Sequence, residues 1–549
     1  LLLYTFIIKP KMNRIKTLCI FLLVCLVTFP SYSQSKYFKT GRSLDVQFSV
    51  LKELSMYYVD SVEIDKLIET GINAMLESLD PYTVLIPAED QESLELMTTG
   101  SYGGIGAVIR KTDNGILIGE VYENSPAAKS GLVAGDIILK IDGQDISNLI
   151  VDSCSARMKG RPGSQVSFLV KKLRGGDTVE VKVIRDKVHF PDVAYSGFVN
   201  DTTGYIRLNG FTLGGSKDFR RELLELKKNT DMKRLMIDIR GNGGGLLDEA
   251  VNIVSLFVPK GTKVVSAIGR SKQSSMDYYT KEEPVDTSLP IVVLVNSSSA
   301  SSSEIVAGAL QDLDRATIVG TRTYGKGLVQ SIRDVGYGNR IKLTTAKYYT
   351  PSGRCVQAID YSHRNEDGSV GNIPDSLRRP FKTLKGRTVY DGGGITPDVI
   401  INPQTVPRAV MSLIFAEVLS DYSILYFKDH ITIAKPKDFK LTDAEYEEFV
   451  SYAASRNFDG RSASEVELDR LVSILKEESM YDEFKDKVAA LEENVKLTKE
   501  QMLRRNSNII RSFLEEEIVN RYYYERGQIE SVLRNDYQVK TALEVKLIN

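Results

Sequence analysis

At 549 residues the chain is too long for one hydrophobic core, and its 42% of apolar residues can fill several. Lysine plus arginine (71) balance aspartate plus glutamate (72) to a net charge of −1, which gives no electrostatic reason to expect nucleic acid or an anionic membrane surface as a partner. With three histidines, no clustered cysteine or histidine ligands, no HExxH and no GxxxxGK[ST] loop, metal and nucleotide chemistry have no support and no metal or other cofactor is expected.

In chain order, residues 1–33 read as a targeting segment that starts at Met12. Arg14 and Lys16 precede an apolar run over 18–29, and Ser31 and Ser33 supply small residues at −3 and −1 of a cut before Gln34. About 12 apolar residues fall short of the roughly 20 that span a bilayer core, so a cleaved secretory signal is expected and membrane association follows only if the segment is retained. Cys25 leaves a lipidated form open, although Val24 stands where a small residue is wanted. No later stretch reaches 18 uninterrupted apolar residues, so the mature chain is expected to be soluble, in the periplasm or cell envelope after export. Cys19 and Cys25 fall in the signal, and the widely separated Cys154 and Cys355 read as buried free thiols rather than a disulfide framework.

Residues 34–97 carry helical spacing. Val46, Phe48, Val50, Leu51 and Leu54, then Ile64, Leu67, Ile68, Ile72, Met75 and Leu76 recur at three and four, until Asp80-Pro81 stops the run. A small packing domain without chemistry is expected. Residues 98–188 change to short β-rich runs with glycine punctuation, at 105–109, 116–121, 137–141, 166–170 and 179–184. Within them, Gly103-Gly104-Ile105-Gly106 precedes a strand: such a turn leaves backbone N–H groups free for a carboxylate, and an open strand edge pairs with an extended peptide. Over 189–403, strand-like runs at 205–208, 235–239, 264–268, 291–295 and 317–319 alternate with helical spacing at 217–228, 246–257 and 302–313, which makes an α/β core. Residues 404–549 are helical and highly charged, with runs at 441–456, 464–478 and 482–506 that read as solvated helix faces and no low-complexity tract.

Three segments of the α/β region can carry chemistry. The apolar run 291–295 leads into Asn296-Ser297-Ser298-Ser299-Ala300-Ser301-Ser302-Ser303-Glu304-Ile305, and a serine at a strand-to-helix turn has an exposed hydroxyl beside a helix N-terminus that favours a developing anion. Ser301-x-x-Glu304 is equally a capping box. In Arg322-Thr323-Tyr324-Gly325-Lys326-Gly327-Leu328-Val329-Gln330 a lysine lies between two glycines; buried, its amine turns neutral and can take a proton from serine, while an ordinary loop reads the same. Asp238-Ile239-Arg240-Gly241-Asn242-Gly243-Gly244-Gly245-Leu246 can aim backbone N–H groups into a shared space, or be a plain strand-to-helix turn.

Two resemblances join these segments. Glu123-Asn124-Ser125-Pro126-Ala127-Ala128-Lys129-Ser130-Gly131-Leu132, Gly135-Asp136-Ile137-Ile138-Leu139-Lys140-Ile141-Asp142-Gly143 and Gly103 to Gly106 resemble the PDZ family, which implies capture of a protein's C-terminus at Gly104, Ile105 and Gly106. In one order, Ser299-Ala300-Ser301-Ser302-Ser303-Glu304-Ile305, Ala307-Gly308-Ala309-Leu310-Gln311-Asp312, Gly325-Lys326-Gly327 with Gln330, Thr344-Thr345-Ala346-Lys347-Tyr348-Tyr349-Thr350-Pro351-Ser352-Gly353-Arg354 and Gly394-Ile395-Thr396-Pro397-Asp398 resemble the C-terminal processing (tail-specific) peptidases of the S41 serine protease family. The likeness runs over residues 37–403. It implies, within a multidomain α+β chain, an N-terminal helical segment 34–97, an inserted β-rich PDZ domain 98–188 and a crotonase-like α/β protease core 189–403; the signal peptide 1–33 and the C-terminal helical extension 404–549 are read from the residues themselves and lie outside the likeness. It implies Ser301 as nucleophile, Lys326 as general base, Gln330 as the residue that orients the lysine, and backbone oxyanion donors at Gly244, with Gly245 as the alternative, and Ser302. The family carries alanine where Ser302 stands, so the choice of Ser301 over Ser302 or Ser303 rests on the resemblance. The implied activity is that of an exported serine endopeptidase acting on protein or peptide substrates with accessible C-termini. The rival readings are a non-catalytic PDZ adaptor or chaperone and a carrier of small hydrophobic ligands. The sequence leaves homo-oligomerisation open.

Overall fold

The computed structural model describes residues 34–402 and 404–547; the expected signal, with Met12 and Cys25, lies outside them. The chain through Ser78 forms one compact unit and Leu79 onward a second. In the first, helices Gln34–Tyr57 and Ile64–Glu77 follow the three-and-four spacing of their apolar residues. Residues 79–97, expected to continue that helical segment, are built into the second unit instead. Pro81 stops helix propagation, and the apolar Val84–Ile86 run pairs antiparallel with the long strand Asn339–Tyr349.

The inserted β domain leaves and returns through one gate, because Ser101–Gly104 pairs antiparallel with Asp186–His189. Its sheet runs in the order Ala107–Thr112, Gly115–Val121, Ile137–Ile141, Gln165–Lys171, Thr178–Ile184, around buried Ile118, Ile138, Phe168 and Val170. Ala107–Thr112 is an edge strand, paired on one side only.

A six-stranded sheet forms the α/β core, in the order Val193–Asn200, Thr203–Leu208, Arg234–Asp238, Ile291–Val295, Ala316–Gly320, Val399–Ile400. All neighbours after the first hairpin are parallel. Its central strands are continuous apolar runs because both faces are covered, and helices Gly215–Leu226, Leu247–Ser255 and Ser302–Asp312 contribute buried faces to that core. A second, antiparallel sheet holds Val84–Ile86, Asn339–Tyr349, Lys263–Gly269 and Met276–Tyr279, with Leu328–Gly336 also on Asn339–Tyr349. The sequence does not signal the hairpin 328–349 as strands, since Arg333, Asp334, Arg340 and Lys342 blur its alternation; its antiparallel pairing holds it.

The C-terminal helices build a core of their own around Phe449, Val450, Leu503, Ile510, Leu514 and Ile518. Among the described residues no single helix is long and apolar enough to cross a membrane, and the bent apolar pair Arg408–Phe415 and Val418–Asp429 packs into that core. Most charged positions of the runs 441–456, 464–478 and 482–506 are exposed, but charged residues outside those runs join the C-terminal helices to the rest of the chain. Arg110 of the β domain pairs with Glu417 and Asp421, and Arg521 donates to the Gly119 carbonyl. Arg240 of the core reaches Asp536 at 2.7 Å and Gln538 at 2.8 Å. Sequence periodicity assigns a charged residue to a face but not to a partner hundreds of residues away.

Arg240 also grips Asp238, which is fully buried and shared with Arg207 and the Tyr205 hydroxyl. Burial pushes the Asp238 carboxyl up, but Arg240 and Arg207 more than offset it and hold it at about 2. Arg240→Ala takes the shared guanidinium from two carboxylates and leaves Asp238 only Arg207 and Tyr205 as side-chain partners, so urea unfolding is expected to show a loss of about 3 kcal/mol, with the segment around Asp536 becoming sensitive to proteolysis.

Candidate active site

Two strand-to-helix turns meet at the ends of the parallel strands Arg234–Asp238 and Ile291–Val295. They are laced together. Ser299 Oγ donates to the Ile239 carbonyl (2.8 Å), Gly241 N–H to Asn296 Oδ1 (2.9 Å) and Ala300 N–H to the Asn242 carbonyl (3.0 Å). Asn242, itself buried, donates its side-chain amide to the Leu208 carbonyl at 2.8 Å and so fixes the glycine turn from within.

Ser301 caps the helix Ser302–Asp312 with φ 56° and ψ −115°. A non-glycine residue in that region costs on the order of 1–3 kcal/mol, a strain that concentrates at functional sites. Of the three neighbouring serines, Ser302 and Ser303 are buried and their hydroxyls are committed, Ser302 to the Gly245 carbonyl and Ser303 to the Asn242 carbonyl, each at 2.9 Å. Ser301 alone is half-exposed. Its hydrogen bonds run through the main chain: the N–H donates to Glu304 Oε2 (2.9 Å), and the carbonyl accepts the Tyr348 hydroxyl (3.2 Å) and the N–H groups of Glu304 and Ile305 (2.8 and 3.0 Å).

Glu304 thus does more than serve the capping box. Its fully buried carboxylate accepts Thr323 Oγ1 (2.6 Å) and Gly325 N–H (2.7 Å) at Oε1, and Lys326 N–H (2.8 Å) at Oε2. One carboxylate oxygen therefore receives the main-chain N–H of both Ser301 and Lys326. Burial pushes the Glu304 carboxyl up, and its donors work against that. The lysine loop is further fixed by Tyr324 N–H on the Ser299 carbonyl (3.0 Å), Ala358 N–H on the Gly325 carbonyl (2.9 Å) and Gly327 N–H on Gln357 Oε1 (2.8 Å). Gly325 needs its glycine: φ is +87°, and a Cβ would lie 2.4 Å from that of Ala358.

Lys326 Nζ has no hydrogen-bond or carboxylate partner among the described residues and lies 4.3 Å from the centroid of the Tyr82 ring. Burial, with the Lys342 ammonium adding to it, brings its amine from the usual lysine range down to about 8, against the pull of Glu304 and Asp80. Gln330 is not on the lysine: its Nε2 donates to Thr344 Oγ1 at 3.2 Å.

Gly244 presses on the serine turn, where a Cβ would lie 2.7 Å from Ser301 Cβ and 2.9 Å from Ser302 N, at φ +102°. Its N–H donates to Asn242 Oδ1 (2.9 Å). The N–H of Ser302, first residue of its helix, has no carbonyl behind it. In the β domain, Gly104 lies in the gate strand, the Ile105 carbonyl accepts Ala127 N–H (2.8 Å) and the Gly106 carbonyl accepts Tyr122 N–H (3.0 Å), which fixes the turn that opens the edge strand. Cys154 is buried and Cys355 half-buried, both free thiols.

Sequence reasoning missed Asn242, the second face of Glu304, Thr323, Asp80 and Tyr82. A carboxylate in a capping box signals one of its oxygens, and Asp80-Pro81-Tyr82-Thr83 signals a turn; neither names a partner far along the chain.

Against known proteins, residues 202–362 match the model of peptidase family S41, 103–184 that of the PDZ domain, and 409–545 that of the probable PDZ-protease, C-terminal helical domain. The chain is 38% identical over 313 residues to a carboxy-terminal-processing protease of Bartonella bacilliformis, covering 56% of this chain and 71% of that protein. It is 32% identical over 314 residues to a probable CtpA-like serine protease of Staphylococcus aureus, covering 56% and 61% respectively. Among solved structures, a photosystem II D1 C-terminal processing protease is 27% identical, covering 66% of this chain and 88% of that one, with a TM-score of 0.35.

Proposed function

The chain belongs to peptidase family S41, beside the carboxy-terminal-processing proteases, and from that premise we propose that it is an exported serine endopeptidase in which Lys326 is the general base for Ser301. The observation that carries this reading is the single Glu304 oxygen that receives both main-chain N–H groups. It fixes the two residues on one anchor, which removes much of the entropy of bringing base and nucleophile together.

Neutral Lys326 takes the proton from Ser301 Oγ, the oxygen attacks the peptide carbonyl, and the ammonium returns the proton to the leaving amine. The Ser302 N–H is free to meet the oxyanion. Gly244 N–H joins it only by leaving Asn242 Oδ1, so Gly245 stands as the alternative second donor. Water then releases the acyl product. The β domain holds the substrate's C-terminal carboxylate at Gly104 to Gly106, with the tail added along the free edge of Ala107–Thr112. Its place of action is the cell envelope.

Because the reactive form of the lysine is unprotonated and its amine lies at about 8, kcat/KM for a free-tailed peptide is expected to rise about tenfold per pH unit below 8 and level off above it. A flat profile between pH 6.5 and 9.5 would remove lysine as the base. Amidating the peptide's C-terminus removes a charge-assisted bond of about 1.5–3 kcal/mol and should lower kcat/KM at least about tenfold.

A further inference from the structure

The turn that opens the second unit, whose sequence promises only a helix stop, brings the Tyr82 ring to the base. We propose that Tyr82 is a positioning residue of the reaction: its ring is the wall that keeps water from Lys326 Nζ and receives the ammonium once the proton of Ser301 has been transferred. This rests on the assignment of Lys326 as base.

The ring lies 4.3 Å from Nζ, and no hydrogen bond or carboxylate among the described residues competes for that nitrogen. The loop that carries it is built for fixity. Asp80 Oδ1 accepts the N–H groups of Tyr82 and Thr83 (each 2.9 Å) and Oδ2 accepts the Thr83 hydroxyl (3.0 Å), with Asp80 and Thr83 both buried. Thr344 ties this turn to the second sheet, its Oγ1 donating to Asp80 Oδ1 (3.2 Å) and its N–H to Thr83 Oγ1 (3.2 Å). Gln330 Nε2 donates to that same Thr344 hydroxyl, so the residue expected to orient the lysine reaches it through Thr344, Asp80 and the Tyr82 loop. On its outer side the Tyr82 ring meets Tyr361 edge-on, centroids 6.1 Å apart, and the Tyr324 and Tyr361 hydroxyls lie 3.5 Å from its own.

A ring face acts on the two protonation states in opposite ways. It strips water, which disfavours the ammonium, and its quadrupole returns about 0.5–2 kcal/mol to the ammonium. For Lys326 burial is the larger influence, and the other charges facing it are Lys342, which acts with burial, and Glu304 and Asp80, which act against it. Opening the wall to water should therefore make the lysine more basic and demand a higher pH for activity.

The test is the pH profile of kcat/KM for wild type, Tyr82→Phe, Tyr82→Ala and Tyr82→Gln, with Lys326→Ala beside them. Tyr82→Ala and the larger, polar and water-admitting Tyr82→Gln are expected to move the acid limb up by at least one pH unit, a tenfold loss at pH 7, while Tyr82→Phe keeps the limb near 8. Gln serves should Ala not fold. An acid limb unmoved in the folded Ala or Gln variant, with Lys326→Ala inactive, overturns the role of Tyr82 alone. Wild-type cleavage by Lys326→Ala overturns the base and the wall together.

Discussion

Alanine at Ser301 is expected to lower kcat/KM for an unfolded reporter with a free apolar tail by at least about a thousandfold, and alanine at Lys326 to do the same. The reason is that nucleophile and base act as one unit, so the double variant should be no worse than either single one. Ser303→Ala, which loses only the bond to the Asn242 carbonyl, should still cut. Cleavage that survives both Ser301→Ala and Lys326→Ala sinks the mechanism. The same Ser301→Ala protein separates protease from adaptor: an adaptor's activity is unchanged by it, whereas a protease retains tail binding and loses the cut. Mass spectrometry of envelope proteins from cells with wild type or Ser301→Ala would then identify the substrates, as the proteins whose tails stay uncut.

The second large effect is on stability. Glu304→Ala removes the acceptor of the Ser301, Gly325 and Lys326 N–H groups and of the Thr323 hydroxyl in a fully buried site. At about 1–3 kcal/mol for each orphaned donor, urea unfolding should show a loss on the order of 5 kcal/mol or more, enough to threaten the fold. Glu304→Gln keeps the shape but turns an NH2 toward N–H donors. It should fold, with kcat reduced far more than KM changes, because the lysine loop shifts while substrate contacts remain. Equal effects on kcat and KM would show that Glu304 only supports the fold.

Much of this molecule is legible in the sequence because it depends on local periodicity. The strands 137–141 and 291–295 are found residue for residue, and the helix expected at 302–313 runs Ser302–Asp312. Apolar runs bounded by turn residues carry that information without reference to anything distant. The charged C-terminal helices were legible as helices and not as clamps, since Arg240 finds Asp536 and Arg110 finds Glu417 only across the fold. The resemblance assigns Gln330 to the lysine, whereas its amide donates to Thr344 Oγ1.

The sequence by itself determined the order of domains and the strand-to-helix turns, and its motifs, through the family they resemble, pointed to a candidate nucleophile and base. Each is a property of neighbouring residues, or of motifs in a fixed order. Tertiary structure decided which serine is available, since the Ser302 and Ser303 hydroxyls are taken by carbonyls of the other turn. It also decided what surrounds the lysine: a carboxylate shared with Ser301 and a tyrosine distant from it in the chain. The physical reason is the same in both cases. The reactivity of a hydroxyl or an amine depends on its hydrogen bonds and its exclusion from water, and those are made by residues that only the folded chain brings together.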